Sequence, residues 1–309
     1  MRFFKKPKTW NDLFRYKYKT APVSHEVQEN INIFEKKYLH WDREGRMIRP
    51  SHEDIKIYNE FIGPVSKNKK ILILGPTTEL RDLIAGHKAT VVVADISFKS
   101  IIRASKFLTK ARTEDEIWIK SNWVDLPFGN GYFDVILGDC VVNQFSPGSE
   151  ETRFLEIISK LCAPNGHLIS RFIIQSPRLM PVSLGDAAAF LSKTAYLQKR
   201  EKASMLANAA LVYTSDGASR RYNIDLAQIA LENLLREQGF RFQERSIVRG
   251  ALRYLKESGL TSGQWWAPPL EKELIHLLEI RYTIVHKKHA RDYPAAYCFP
   301  IMDCIPKQK

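Results

Sequence analysis

Gly75 and Asp95 are the residues of this 309-residue chain whose types and spacing suggest chemistry. Gly75 closes the apolar run Ile71-Leu-Ile-Leu74. Asp95, twenty residues on, closes a second run, Thr90-Val-Val-Val-Ala94. A glycine after a buried strand lets the backbone turn tightly and pass close to a ligand. A carboxylate at the tip of the next strand accepts hydrogen bonds from both hydroxyls of a ribose. Together they predict a βαβ unit holding a nucleoside-containing ligand. The remaining glycines of a dinucleotide fingerprint are missing, because Pro76-Thr77-Thr78 fill the turn. A pyrophosphate then lacks its seat on the helix N-terminus, which argues against a dehydrogenase. Glu79 already occupies the positive end of that helix, so a neutral or cationic ligand fits better than an anion.

Other chemistries find little support. The cysteines (Cys140, Cys162, Cys298 and Cys304) show no CxxC spacing and read as small buried thiols. No His, Cys or carboxylate cluster has metal-ligand spacing. The longest apolar runs are far too short to span a bilayer. Met1–Lys8 is basic without the apolar stretch of a signal peptide, so a cytoplasmic location is expected. The net charge of +13 is uneven: residues 1–20 carry seven basic side chains against Asp12, and residues 281–309 carry six against two acids. Such ends attract nucleic acid, anionic surfaces or negatively charged substrates, and also serve simply as solubilising surface. The aromatics among the N-terminal charges (Phe3, Phe4, Trp10, Phe14, Tyr16, Tyr18) fit an amphipathic lid docking its rings on the core, or a stacking platform.

The elements that must position Gly75 and Asp95 alternate. Strands are expected at Ile71–Leu74, Val91–Ala94, Ile117–Lys120, Phe133–Leu137 and His167–Ile174. Helices are expected at Glu79–Ala85, Ser97–Leu108 and Glu150–Leu161. This order predicts a doubly wound α/β fold with a mostly parallel sheet. Ser51 to Asp54 reads as a capping box opening an earlier helix. Beyond Pro177 the alternation stops. Residues 184–212 look helical, and Asp225–Gln238 reads as an amphipathic helix capped by Asp225, with Leu226, Ile229, Leu234 and Leu235 as its stripe. Glu271–Arg281 is a further helix. Tyr282–His286 and Ala296–Ile305 supply two more strands at an antiparallel edge. The expected organisation is a helical extension or lid over 1–65, a cofactor-binding core over 66–177, a helical substrate-side region over 178–280 and closing strands over 281–309.

The order of parts resembles the class I S-adenosylmethionine-dependent methyltransferases. Ile71–Glu79 is similar to their first motif, with Gly-Pro-Thr-Thr-Glu replacing Gly-x-Gly-x-Gly. Trp123-Val-Asp125-Leu-Pro-Phe, Gly131-Tyr-Phe-Asp134-Val-Ile-Leu and Leu161-Cys-Ala-Pro-Asn-Gly166-His-Leu-Ile resemble the stretches that follow. The likeness covers about residues 68–175. It implies a Rossmann-like fold with seven strands and S-adenosylmethionine as cofactor, a ligand with a sulfonium and no phosphate. It also implies roles: Gly75, Pro76 and Thr77 under the methionine part, Asp95 on the ribose, and Ile96 against the adenine. Asp125 would take the adenine amino group, with a backbone contact from Trp123 or Val124. Gly138 and Asp139 would face the methyl-transfer site, with Asp139 the candidate base if the acceptor must lose a proton. Arg49 is a candidate for the cofactor's carboxylate, and Asn143 and Gln144 for orienting the acceptor. The rival expectations are that Asp95 caps the next helix, Asp125 closes a turn, Asp139 caps strand four and Asp134 faces solvent or caps the Gly129–Gly131 turn. Trp265-Trp266 would pack on the sheet edge or line a pocket. A small-molecule acceptor is expected; RNA methylation and a non-catalytic scaffold are the alternatives.

Overall fold

The computed structural model describes residues 25–44, 48–64, 68–175, 183–195, 197–215, 220–237, 239–257, 267–293 and 295–307. The basic, aromatic N-terminal stretch and Trp265-Trp266 lie outside these residues.

Seven strands form one sheet: β1 (Lys70–Leu74), β2 (Thr90–Asp95), β3 (Glu116–Lys120), β4 (Phe133–Asp139), β5 (Cys162–Arg171), β6 (Tyr282–Lys288) and β7 (Ile301–Pro306). Their order is β3-β2-β1-β4-β5-β7-β6. β1 to β5 are mutually parallel, and β7 pairs antiparallel with both β5 and β6. Ile71 to Leu74 are buried, as a central parallel strand covered on both faces requires. From β1 the chain runs outward to β2 and β3, then returns to β4 on the other side of β1. That reversal opens a crevice at the carboxyl ends of β1 and β4. Leu74 pairs with Ala94 on one side and Gly138 on the other, so Gly75, Asp95 and Asp139 all lie at that one edge.

Ten α-helices are described: α1 (His25–Lys37), α2 (His52–Ile62), α3 (Thr78–Ile84), α4 (Phe98–Ser105), α5 (Ser149–Leu161), α6 (Leu184–Lys193), α7 (Lys199–Tyr213), α8 (Ile224–Arg236), α9 (Phe242–Glu257) and α10 (Glu271–Glu279). None is long and apolar enough to cross a membrane. The expected capping box opens α2: Ser51 Oγ accepts the Asp54 N–H, and Asp54 accepts the Ser51 N–H.

The chain divides into two compact units. The first holds the sheet and the described N-terminal helices. α1 lies on α4 there: Arg103 donates to the Glu35 carbonyl at 2.7 Å, and Ser97 Oγ donates to the Glu35 carboxylate at 2.6 Å. The second unit, 146–148 with 173–274, holds α6 to α9 around Ala188, Leu206, Ala210, Leu231, Val248 and Ala251.

Several local expectations need correction. α8 is capped by Asn223, whose side chain accepts the Leu226 N–H, not by Asp225. Its buried stripe is Ile224, Ala227, Leu231 and Leu234, while Leu226 and Ile229 are exposed. The helix carries apolar residues on two faces, and small Ala227 selects the one that packs. Residues 296–298 form a 3-10 turn, and the strand expected from Ala296 starts at Ile301. The two closing strands do form the expected antiparallel edge, with β7 between β5 and the outermost β6. The turn expected at Pro164–Gly166 falls within β5, where the register against β4 shifts. Asp134 neither faces solvent alone nor caps a turn; it accepts the Lys70 N–H and the Lys69 ammonium, fixing the start of β1.

Candidate functional site

Gly75 leaves β1 with φ +83°, a left-handed conformation that suits glycine. Its N–H donates to the Ala94 carbonyl at 2.9 Å, tying the tips of β1 and β2 together. The same carbonyl accepts the Trp123 indole N–H at 2.8 Å. The indole lies so close that a Cβ on Gly75 would stand 3.6 Å from it. Pro76 and Thr77 are buried in the turn, and α3 begins at Thr78.

Asp95 ends β2. Its Oδ1 accepts the Ser97 N–H at 2.7 Å, and Ser97, not Asp95, caps α4. Burial pushes the Asp95 carboxyl up to about 7, against the pull of the Ser97 N–H and with a smaller push from the Glu35 carboxylate. Ile96 beside it is half-buried.

At the first turn of α3, Glu79 Oε2 accepts the Trp41 indole N–H at 3.1 Å and the Thr78 hydroxyl at 3.0 Å. Glu79 Oε1 faces Arg49 Nε at 2.8 Å. Both atoms are buried, and neither has a hydrogen-bond partner of acceptable geometry. Arg49 Nη1 donates to the Trp41 carbonyl at 3.0 Å. Trp41 stacks on the buried ring of Tyr38, with centroids 4.6 Å apart. The Tyr38 phenol is pushed well up by burial, then by Asp95, Asp139 and Glu79.

Asp139 ends β4 in a fork with Arg171 of β5. Arg171 Nε donates to Oδ1 at 2.6 Å and Nη2 to Oδ2 at 3.2 Å, while Nη1 reaches Asp54 of α2 at 3.1 Å. Burial raises the Asp139 carboxyl although Arg171 opposes it. The Tyr58 hydroxyl donates to the Gly138 carbonyl at 2.6 Å and accepts the Arg171 N–H at 2.7 Å, bridging the tips of β4 and β5. Gly138 is packed so tightly that a Cβ would stand 2.7 Å from Val141 Cγ2. Cys140 follows with φ +55° and a buried thiol.

Asp125 closes a 3-10 turn, Trp123–Asp125, with an exposed side chain; its carbonyl accepts the Ser121 hydroxyl at 3.0 Å. Asn122 caps that turn through the Val124 N–H. Asn143 and Gln144 form the 3-10 turn after β4, and Gln144 Nε2 donates to the Cys140 carbonyl at 3.4 Å. The fold therefore gathers Gly75, Pro76, Thr77, Asp95, Ile96, Trp123, Gly138 and Asp139 at one sheet edge, with Arg49 reaching it through Glu79. Asp125 is the residue left on the surface. Arg171, Tyr58, Tyr38 and Trp41 escaped the sequence reading. Arg171 lay inside the expected strand His167–Ile174 and carried no reading of its own.

A family model described as a methyltransferase domain matches residues 75–170, about a third of the chain. A search of curated proteins returns no match. Among solved structures, a Rhodobacter sphaeroides protein described as a Zn-dependent alcohol dehydrogenase shares 15% identity. That likeness covers 93% of this chain and 100% of the other at a TM-score of 0.57, a likeness of fold. A Burkholderia thailandensis 1,6-didemethyltoxoflavin-N1-methyltransferase, solved with S-adenosylhomocysteine, shares 13% identity over 93% of each chain at a TM-score of 0.48. The residues that resemble a methyltransferase domain thus run from the Gly75 turn to Ser170 of β5, through the parallel part of the seven-stranded sheet.

Proposed function

We propose that this protein transfers the methyl group of S-adenosylmethionine to a small-molecule acceptor at the carboxyl ends of β1, β2 and β4. The observation that carries the reading is the Asp95 carboxylate at the tip of β2, next to the positive-φ Gly75 turn that the Ala94 carbonyl ties to it. The residues fit such a cofactor. The charges of Asp95, Asp139 and Glu79 add to burial in pushing the Tyr38 phenol up, and the Glu79 Oε1 atom has no aligned donor. S-adenosylmethionine carries two positive centres, the sulfonium and the ammonium, and carboxylates close by would attract them.

Asp95 would hold the ribose hydroxyls. Gly75, Pro76 and Thr77 would pass under the methionine part, Arg49 would meet its carboxylate, and Ile96 and Trp123 would flank the adenine. The exposed Asp125 is a weaker adenine partner than its motif implies; it reaches the ring only if its side chain turns inward. The cofactor supplies an electrophilic methyl for in-line displacement, and the protein supplies alignment and exclusion of water. Asp139 has both oxygens committed to the Arg171 fork and would serve the site as an anchor for the β4 tip. Asn143 and Gln144, in the turn just beyond it, would orient an acceptor whose lone pair attacks without prior loss of a proton.

RNA as acceptor draws on one feature of the second unit. Arg245, Arg249 and Arg253 recur every fourth residue along α9, a rise of about 6 Å per step. A steep fall of polyanion affinity with salt, flattened by Arg249→Gln and Arg253→Gln together, would favour that reading.

Calorimetry with S-adenosylmethionine and S-adenosylhomocysteine tests the primary proposal. One-to-one binding that Asp95→Ala abolishes is expected. A silent titration would leave a scaffold without cofactor.

A further inference from the structure

The Gly75-Pro-Thr-Thr-Glu79 turn sets a carboxylate where the Gly-x-Gly-x-Gly pattern has its third glycine. Glu79 is a half-satisfied group: Oε2 is fixed by two donors, the Trp41 indole and the Thr78 hydroxyl, while Oε1 is buried without an aligned donor. Its neighbour Arg49 mirrors this. Nη1 is committed to the Trp41 carbonyl, and Nε is buried without an aligned acceptor. The two atoms stand 2.8 Å apart, close enough for strong attraction and oriented too poorly for a hydrogen bond. A buried charged group without an aligned partner is costly, and evolved ion pairs ordinarily settle into a fork. This one is held apart from that geometry by the bonds each partner makes to the Thr78 hydroxyl and to Trp41.

We propose that Glu79 and Arg49 form a clamp for the α-amino acid end of the cofactor, Glu79 taking the ammonium and Arg49 the carboxylate. Without ligand the clamp neutralises itself. A zwitterion satisfies both orphan atoms at once, because an ammonium offers three donors and a carboxylate accepts the guanidinium fork. Trp41 joins the jaws: its indole N–H orients Glu79 and its carbonyl orients Arg49. Occupation of the clamp is therefore felt by the Tyr38–Trp41 stack in the segment before α2. The proposal rests on the methyltransferase reading and adds to it a binding residue, Glu79, at a position where that motif carries glycine.

The experiment compares two probes on the full-length protein. S-Adenosylhomocysteine carries the amino acid end; 5′-methylthioadenosine lacks it. Calorimetry on Glu79→Gln, Arg49→Gln and Arg49→Lys, each first shown to melt cooperatively, should give S-adenosylhomocysteine affinities about tenfold or more below wild type for the two glutamine variants. Methylthioadenosine affinity should stay within about twofold of wild type, and Arg49→Lys should recover part of the loss. Equal losses for both probes would make the pair a structural bridge and overturn the clamp, as would unchanged S-adenosylhomocysteine affinity. In either of those outcomes the adenosyl site still binds and the methyltransferase reading stands. If wild type binds neither probe, that reading falls and takes the clamp with it.

Discussion

Asp95 shows how burial turns one carboxylate into a liability for the ligand-free fold. Its folded value of about 7 lies well above the ordinary 3.8. Below about pH 4 the group is protonated whether the chain is folded or not. As pH rises from there to about 7, the unfolded chain ionises first, so Asp95 draws stability out of the ligand-free fold across that window. The Tm difference between wild type and Asp95→Asn should therefore move in favour of the variant between pH 4 and pH 7, then level off. In the proposed role ribose hydroxyls would donate to the ionised form, so cofactor affinity should rise about tenfold from pH 6 to pH 8 in wild type and stay flat in Asp95→Asn. Gly75 and Asp95 were legible in the sequence because strand, turn and strand lie within 26 residues and their pattern is local. Tyr58 and Arg171 were not, because they meet across a separation of 113 residues.

The tips of β4 and β5 depend on α2. Arg171, fully buried, balances Asp139 and Asp54, and the Tyr58 hydroxyl fills the gap between the two strands. Tyr58→Phe would leave the Gly138 carbonyl and the Arg171 N–H without that partner and should cost about 1–3 kcal/mol in urea unfolding. Arg171→Met would strand two buried carboxylates and should cost about 3–5 kcal/mol. Gly138→Ala forces a methyl group against Val141 and should cost about 1–3 kcal/mol. Because Gly138 sits at the β4 tip, its Ala variant should also weaken S-adenosylhomocysteine in the same calorimeter. At this scale the sequence foretold β1 to β5 and the capping box of α2. It misjudged α8, whose two apolar faces give periodicity nothing to choose between, and it placed β7 too early because Ala296–Cys298 is apolar enough to pass for strand.

The two units have separate cores, and all seven strands belong to the first. Heating should therefore separate the signals: the infrared band of the strands should vanish in one transition, and part of the helical signal in another. Coincident loss of both would show a single cooperative body. At the level of the whole molecule, the sequence located where alternation ends, near Pro177, since composition shifts there from β-branched to Ala- and Leu-rich segments. It did not reveal that the last strand, β7, inserts between β5 and β6. That insertion has a consequence for how the protein is made. Ile301 leaves the ribosome 130 residues after Arg171, its partner across the ladder. Throughout that interval the hydrogen-bonding rim of β5 is bare in the nascent chain, a template for misassociation with another copy. Slow translation over the intervening helices prolongs that hazard, and a chaperone that shields exposed strand rims during synthesis should raise the yield of active protein more than one that acts after release.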